Sequence, residues 1–408
     1  MLFRSAANSA DLALAVARID ESRAALALTH ASRFPNVDAT VNANRSQVSE
    51  NAGKLQPGGN PRNNTFQPGL TAAFEIDFWG KFQRADEAAR ARLLGLEASR
   101  GVVLATLYAN VAQTYFALRS FDAQVALAEV IFATRRENLR LQRLRFDGGV
   151  ISDLDVEQAT AEAAAIEATL IQARQNQRAT EAVLAVLTGR SPAAIVQPNI
   201  ARGTAIDVLF SRATVPAELP SDLLNRRPDV IAAEQQLIAA NADIGQAKAA
   251  YYPTIKLTAG VGYESRQLSE LFNPGSLFWN LASGLTQPLF RAGSIDAVVA
   301  GANARKAQAT AQYALAVQGA FKDVHDALNN IAANETLVTV ADKRIKALRE
   351  VLRLANLRYS NGYSSYLEVL NAQRDLSQAE SGAIDAKRAQ LSGVVALYKA
   401  VGGGWAAP

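Results

Sequence analysis

Few residues in this sequence are equipped for chemistry, and their spacing limits what they can do. The only histidines are His30 and His325. A metal site or a general base needs partners at defined spacing, and neither histidine has them. Both read as ordinary helix residues. Asp153, Asp155 and Glu157 alternate as a short carboxylate ladder. One reading is a cation site; the favoured one is negative charge at a helix N-terminus. Gly402, Gly403 and Gly404 resemble a phosphate loop in composition, but neither a lysine nor a following helix accompanies them. Glycine past a helix end is a C-cap. There is no cysteine, which removes disulfides and thiolate metal sites. No nucleophile elbow, Walker motif or zinc signature occurs. We therefore expect no enzyme, no cofactor and no metal site.

The residues that stand out lie in a turn. Arg358 to Arg374 reads RYSNGYSSYLEVLNAQR, with Asn361 and Gly362 suited to positive φ between two helical patterns. RFDGGVISDLDVEQA, Arg145 to Ala159, is the same hairpin. The two align without gaps at an offset of 213, which pairs Arg145 with Arg358, Gly149 with Gly362 and Asp155 with Glu368. The chain is built twice.

Long helical patterns flank those tips. Lys81 to Arg145 and Ser294 to Arg358 are helical by pattern for 65 residues each. Each would be about 100 Å long, far beyond an ordinary globular helix. The return arms, Ser152 to Leu187 and Ser365 to Ala400, are about 35 residues. A helix of about 23 residues opens each copy, Asp11 to Arg33 and Asp229 to Tyr252, and each stops at a proline. Arm and opening helix stacked end to end nearly match the long helix. Between opening helix and long helix lies period-two alternation. Ile255, Leu257, Val261 and Tyr263 share one face; Val37, Ala39 and Val41 do so in the first copy. Return strands carry Leu70, Phe74 and Ile76, and Leu277, Trp279, Leu281 and Leu285. Each strand is about 10 residues, enough to cross a bilayer when tilted. Trp79, Trp279, Phe78, Phe278 and Phe290 fall near strand ends, where interface aromatics sit. A soluble two-hairpin sheet would alternate in the same way.

The expected order is therefore a first repeat over 1–190, with hairpin 36–78, long helix 81–145, tip 146–152 and return helix 152–188. A connector follows over 191–228. The second repeat covers 229–402, with hairpin 254–290, long helix 294–358, tip 359–365 and return helix 365–400; 403–408 is a tail. Hydrophobic residues make up 49%, enough for a core, and only 7% are aromatic, which suits close helix packing. Net charge is +4 without a dense basic run, so no nucleic-acid partner is expected. No run of about 18 apolar residues predicts a membrane-crossing helix, and a β-barrel escapes that test.

FEIDFWGK (Phe74 to Lys81), RRPDVIAAE (Arg226 to Glu234), AAYYPTI (Ala249 to Ile255) and TQPLFRAG (Thr286 to Gly293) carry a family resemblance. Together with the opening stretch they resemble the TolC-like outer-membrane factors of tripartite efflux pumps, nearest the OprM or NodT-type lipoprotein branch. The resemblance covers nearly the whole chain in family order. It implies a mainly α fold with a transmembrane β part: a trimeric α-barrel plus one twelve-stranded β-barrel, four strands per protomer. It implies an exit duct in the outer membrane, reaching into the periplasm, for drugs, metals or other small molecules. Partners would be two further copies, a periplasmic adaptor (membrane fusion) protein, an RND-type inner-membrane transporter and outer-membrane lipid. Members of this branch begin with a signal peptide and a lipidated cysteine; this sequence starts inside the first helix, so we expect the export signal to be absent from this chain.

By the same resemblance, Leu367, Glu368 and Asn371 line the periplasmic aperture. Arg358 and Tyr359 tether the gate, with Asp155 as an acceptor. Family members commonly have Asp where Asn371 stands, and Asn cannot form an ion pair with Arg358. Gly149, Val150, Ser152, Gly362, Ser364 and Ser365 form the tips an adaptor would contact. Ile255, Leu257, Val261 and Tyr263 face lipid. The alternative is a coiled-coil scaffold or adaptor with a soluble β domain, which has no need of four lipid-facing strands.

Overall fold

The computed structural model of the chain describes residues 2–49, 61–196, 200–212 and 223–403. Most of the loop read at Asn51 to Asn64, parts of the connector and Gly404 lie outside them. Elements run α1 (Leu2–Asn8), α2 (Ala10–Ala31), β1 (Asn36–Gln47), β2 (Arg62–Ile76), α3 (Lys81–Asp147) and α4 (Asp153–Leu187). Three short helices follow, α5 (Pro192–Val196), α6 (Ile206–Arg212) and α7 (Leu223–Arg226). Then come α8 (Pro228–Lys248), β3 (Thr254–Tyr263), β4 (Leu277–Thr286), α9 (Ser294–Ser360) and α10 (Tyr366–Ala400). The starts and ends of α3 and α9, and of α4 and α10, all lie 213 residues apart.

Contacts divide the chain into two units that cut across the repeat. One takes Met1–Ala17, Ala98–Ile231 and Leu315–Pro408; the other takes Arg18–Glu97 and Ala232–Ala314. Each therefore draws on both copies.

In the first unit the repeat is visible as packing. Val111, Leu118 and Leu184 are buried where α3 meets α4, and Val324, Ile331 and Leu397 do the same between α9 and α10 at the offset of 213. Each such leucine contributes about 1.5–3 kcal/mol by leaving water. One 18-residue window of α3 is apolar enough to cross a bilayer by composition (mean hydropathy 1.3), which counting apolar runs does not detect. Leu107, Val111 and Leu118 of α3 are buried against α4 and Ile200.

Helix ends meet at two joints. The Ser5 hydroxyl donates to the Leu187 carbonyl at the end of α4 (2.5 Å). The Arg227 guanidinium donates to the Ala400 carbonyl at the end of α10 (3.1 Å). Arg227 is buried, so its charge needs compensation: it grips Asp229 through Nε and Nη2 (3.0 and 2.6 Å) and reaches Asp323 (2.9 Å). Burial disfavours the Asp229 carboxylate, but the Arg227 hydrogen bonds outweigh it and hold Asp229 below its ordinary range.

The second unit is built on one antiparallel sheet of order β1-β2-β3-β4. Each copy supplies a hairpin, and β2 pairs with β3 to join them, with Leu70 opposite Val261. Trp79, just after β2, stacks on Tyr252 (4.5 Å between ring centres) and donates to the Pro253 carbonyl (2.8 Å). Asp77 accepts from the Gln83 N–H (2.8 Å) and so caps the start of α3.

Candidate functional site

The two hairpin tips share one backbone device. Gly149 has φ +70° and Gly362 φ +75°, a left-handed conformation that favours glycine. The Val150 N–H donates back to the Arg145 carbonyl and the Gly149 N–H to Phe146 (2.9 and 2.8 Å). Tyr363 to Arg358 and Gly362 to Tyr359 repeat it (2.9 and 3.0 Å). These Schellman bonds satisfy the last carbonyls of α3 and α9.

Beyond the glycines the tips diverge. In the first, the N–H and hydroxyl of Ser152 both donate to the Asp155 carboxylate (3.3 and 3.0 Å), so Asp155 caps its own helix. In the second, the equivalent carboxylate, Glu368, turns across the hairpin to Arg358 Nε (3.3 Å). Arg358 ends α9 and Glu368 begins α10, so each charge also suits its helix terminus. Tyr359 does not reach Asp155 within the chain. Its hydroxyl donates to Gln142 Oε1 (3.3 Å) and accepts from Arg145 (3.4 Å), tying α9 to α3.

Leu367, Glu368 and Asn371 fall on one exposed stripe of α10, while Tyr366, Val369 and Leu370 turn inward against Ala159 and Ala355. Gly149, Val150, Ser152, Gly362 and Ser365 are exposed at the tips, and Ser364 is half-buried.

A polar cluster that sequence reasoning missed lies behind the second tip. Glu162 of α4 is buried and accepts from Arg374 of α10 (2.7 Å), with Arg135 of α3 at 3.6 Å. Arg135 is 5% exposed, and burial pushes its guanidinium below its usual range despite Glu162. Three helices thus share one carboxylate. Arg374 closes the tip sequence, but its partner is 212 residues away and leaves no local signal.

The sheet has two unlike faces. Register puts Val41, Leu70, Val261 and Trp279 on one side with Ile255, Leu257 and Tyr263. Val41 is 81% exposed and Trp279 76%, an apolar face turned to the surroundings. Asn42, Gln67, Thr258 and Asn280 lie on the other side. Phe278 belongs to this polar side and not, like Trp279, to the apolar face. Its ring covers Gly262, where a Cβ would come within 3.0 Å of it. The outer edges of β1 and β4 have no strand partner among the described residues.

A family model for outer membrane efflux proteins matches residues 2–190 and 219–403. The chain belongs to the outer membrane efflux protein family. The solvent efflux pump outer membrane protein SrpC of Pseudomonas putida is 33% identical over 401 residues, covering 98% of this chain and 83% of that protein. The cation efflux system protein CusC of Escherichia coli K12 is 33% identical over 400 residues, covering 97% and 84%. Among solved structures, CusC superposes with a TM-score of 0.90 at 30% identity, covering 99% of this chain and 91% of that one. The open state of MtrE from Neisseria gonorrhoeae gives 0.86 at 31%, covering 99% and 88%. The fold is that of TolC-like channels, in which trimers form an α-barrel and a β-barrel. As an outer membrane efflux protein, the chain serves as an exit duct of a tripartite system in the outer membrane and extends into the periplasm. The scaffold alternative is not supported.

Proposed function

We propose that three copies of this efflux protein form a passive duct, closed by the α9–α10 hairpins and opened by a periplasmic adaptor bound to an RND-type inner-membrane transporter. The observation that carries the reading is the exposed stripe of Leu367, Glu368 and Asn371 on α10, beside the Arg358–Glu368 pair. Three-fold repetition sets each residue around the pore axis. Leu367 then forms an apolar constriction and Glu368 a negative ring that favours cations. Arg358 and Tyr359 hold the ring closed; Asp155 is the acceptor a neighbouring copy can offer.

The adaptor docks on Gly149, Val150 and Ser152 and on Gly362, Ser364 and Ser365, where small residues let a helical hairpin approach closely. Val150, 75% exposed, supplies apolar area there. Ile255, Leu257, Val261 and Tyr263 face lipid. The chain performs no reaction, and transport energy comes from the pump. Its cargo is small molecules or metal cations; related channels are named for solvent and for cation efflux. Conductance of the trimer in a planar bilayer tests the duct: ion passage is expected, and a folded trimer without conductance overturns it. Cross-linkers placed at the six tip positions should capture the adaptor; capture only from strand positions overturns the docking assignment.

A further inference from the structure

One residue is out of character on the polar side of the sheet. Register gives that side mostly Asn, Thr, Ser and Gln, such as Asn44, Thr71 and Thr258. Its charged strand residues are Asp38, Glu75 and Lys256. Glu75 stands opposite Lys256 and pairs with Lys81 (2.9 Å), while Asp38 has no ion pair among the described residues. Phe278, at the β3–β4 loop end of β4, is the only apolar side chain larger than a methyl group among the described strand residues of that side.

The wall beneath Phe278 is glycine. Gly69, Gly262 and Phe278 are consecutive partners across β2, β3 and β4, and Gly260 pairs with Asn280 in the next row. A Cβ on Gly262 would lie 2.7 Å from the Gly69 Cα and 3.0 Å from Phe278 Cε1, and one on Gly260 would collide with Asn280 Oδ1. Glycine here lets both β4 side chains lie across β3 instead of standing away from the sheet. Covering a strand glycine is a packing role. Yet Phe278 is only half-buried, so part of its ring stays open among the polar groups. An open ring offers flat apolar area to other rings and a negative π face to cations. The unpaired charge on the same side, Asp38, is negative as well. We propose that Phe278 is a cargo contact in the lumen of the β-barrel, one ring per chain, for cations that carry aromatic groups. The proposal rests on the duct reading, with the polar side of the sheet turned to the lumen.

The test records the full chain as a trimer in planar bilayers. Tetraphenylphosphonium is added at the β-barrel mouth, and tetraethylammonium serves as the cation without rings. Tetraphenylphosphonium should reduce conductance. Phe278→Leu and Phe278→Met, which keep bulk over Gly262 without a ring, should each weaken that block about three- to tenfold, and Phe278→Tyr should change it by less than about twofold. Tetraethylammonium should respond to none of these substitutions. Equal block of wild type and both ring-free variants, or equal weakening for the two cations, overturns the proposal. Block that survives in those variants and disappears in Glu368→Ala assigns the cation to the tip and overturns it too. A folded trimer that passes no ions overturns the duct and the proposal together; a conducting trimer whose block ignores Phe278 overturns the proposal alone.

Discussion

Replacing Tyr359 by Phe and Arg358 by Ser together should release the α9–α10 hairpin, and the contacts set the size of the effect. Arg358 lies 3.3 Å from Glu368, with side chains 57% and 44% exposed. At that distance in water the pair is worth about 1.3 kcal/mol before screening. Exposed pairs measure about 0–1 kcal/mol. The Tyr359 hydroxyl contacts, at 3.3 and 3.4 Å, are long. Each belongs near the bottom of the range of about 0.5–1.5 kcal/mol for a hydrogen bond. The double variant therefore loses roughly 1–2 kcal/mol per chain. If three hairpins move together the loss is roughly 3–6 kcal/mol, or two to four powers of ten in the open-to-closed ratio.

Single-channel recording in planar bilayers is the assay, and salt separates the two parts. Loss of Arg358 exposes three Glu368 carboxylates to one another, so Arg358→Ser should open the channel more at low salt. The excess should fade toward 1 M, where the Debye length is about 3 Å. The Tyr359→Phe effect should not depend on salt. Glu368→Ala should mainly move the reversal potential toward lower cation selectivity. If conductance in the double variant matches the parent and Glu368→Ala leaves selectivity unchanged, the aperture has been misplaced.

Glu162→Ala leaves Arg135 buried without its carboxylate and should destabilise the folded chain by about 3–5 kcal/mol. Arg374→Ala removes an exposed partner and should cost only about 0–1 kcal/mol; equal losses in denaturant titrations would contradict the asymmetry. Val261→Arg should lower stability in lipid by about 2–4 kcal/mol if Val261 lies near the bilayer midplane, and an unchanged melting temperature would argue against the lipid face. Asp229 has a depressed folded pKa, so its stabilising effect is complete above the unfolded value of 3.8 and is lost as pH falls through the folded one. The trimer should thus weaken below about pH 4, and Asp229→Asn should flatten that loss; parallel acid curves would rule it out.

The helices were legible because their signals are local. Glycine at the C-caps bounds α3, α4, α9 and α10, and proline at the stops bounds α2 and α8. Strand faces were legible for the same reason, and parity alone also places Phe278: a neighbour of Trp279 in a strand must face the other way. Composition alone does not separate the two aromatics; parity does. The β2–β3 pairing was not legible, since it joins segments far apart in the chain and either hairpin could have closed on itself. Tyr359 with Gln142 and Glu162 with Arg374 are separated by more than 200 residues, and neither pair has a spacing signature. The Arg358–Glu368 pair was within reach of the sequence, ten residues apart across one tight turn.

On the proposed reading, divergence between the copies would suit one hairpin to a gate and the other to a frame. Asp155 and Glu368 occupy the same repeat position and differ by one methylene. The shorter side chain folds back on Ser152 and closes the start of α4 within its own turn. The longer one crosses to Arg358, so no carboxylate caps α10 and the turn is held by an exposed pair. Water and salt compete for that pair at little cost. Just behind the stripe, Tyr366, Val369 and Leu370 are buried against Ala159 and Ala355, a contact that water does not replace cheaply. The second tip is thus weakly held at its end and firmly held just behind it. Tyr359, linked to Gln142 and Arg145 of α3, would in that reading couple the frame to the tip. An adaptor pressing on Val150 and the small residues around it would load α3 directly and strain the Tyr359 contacts first, before any buried pair has to break.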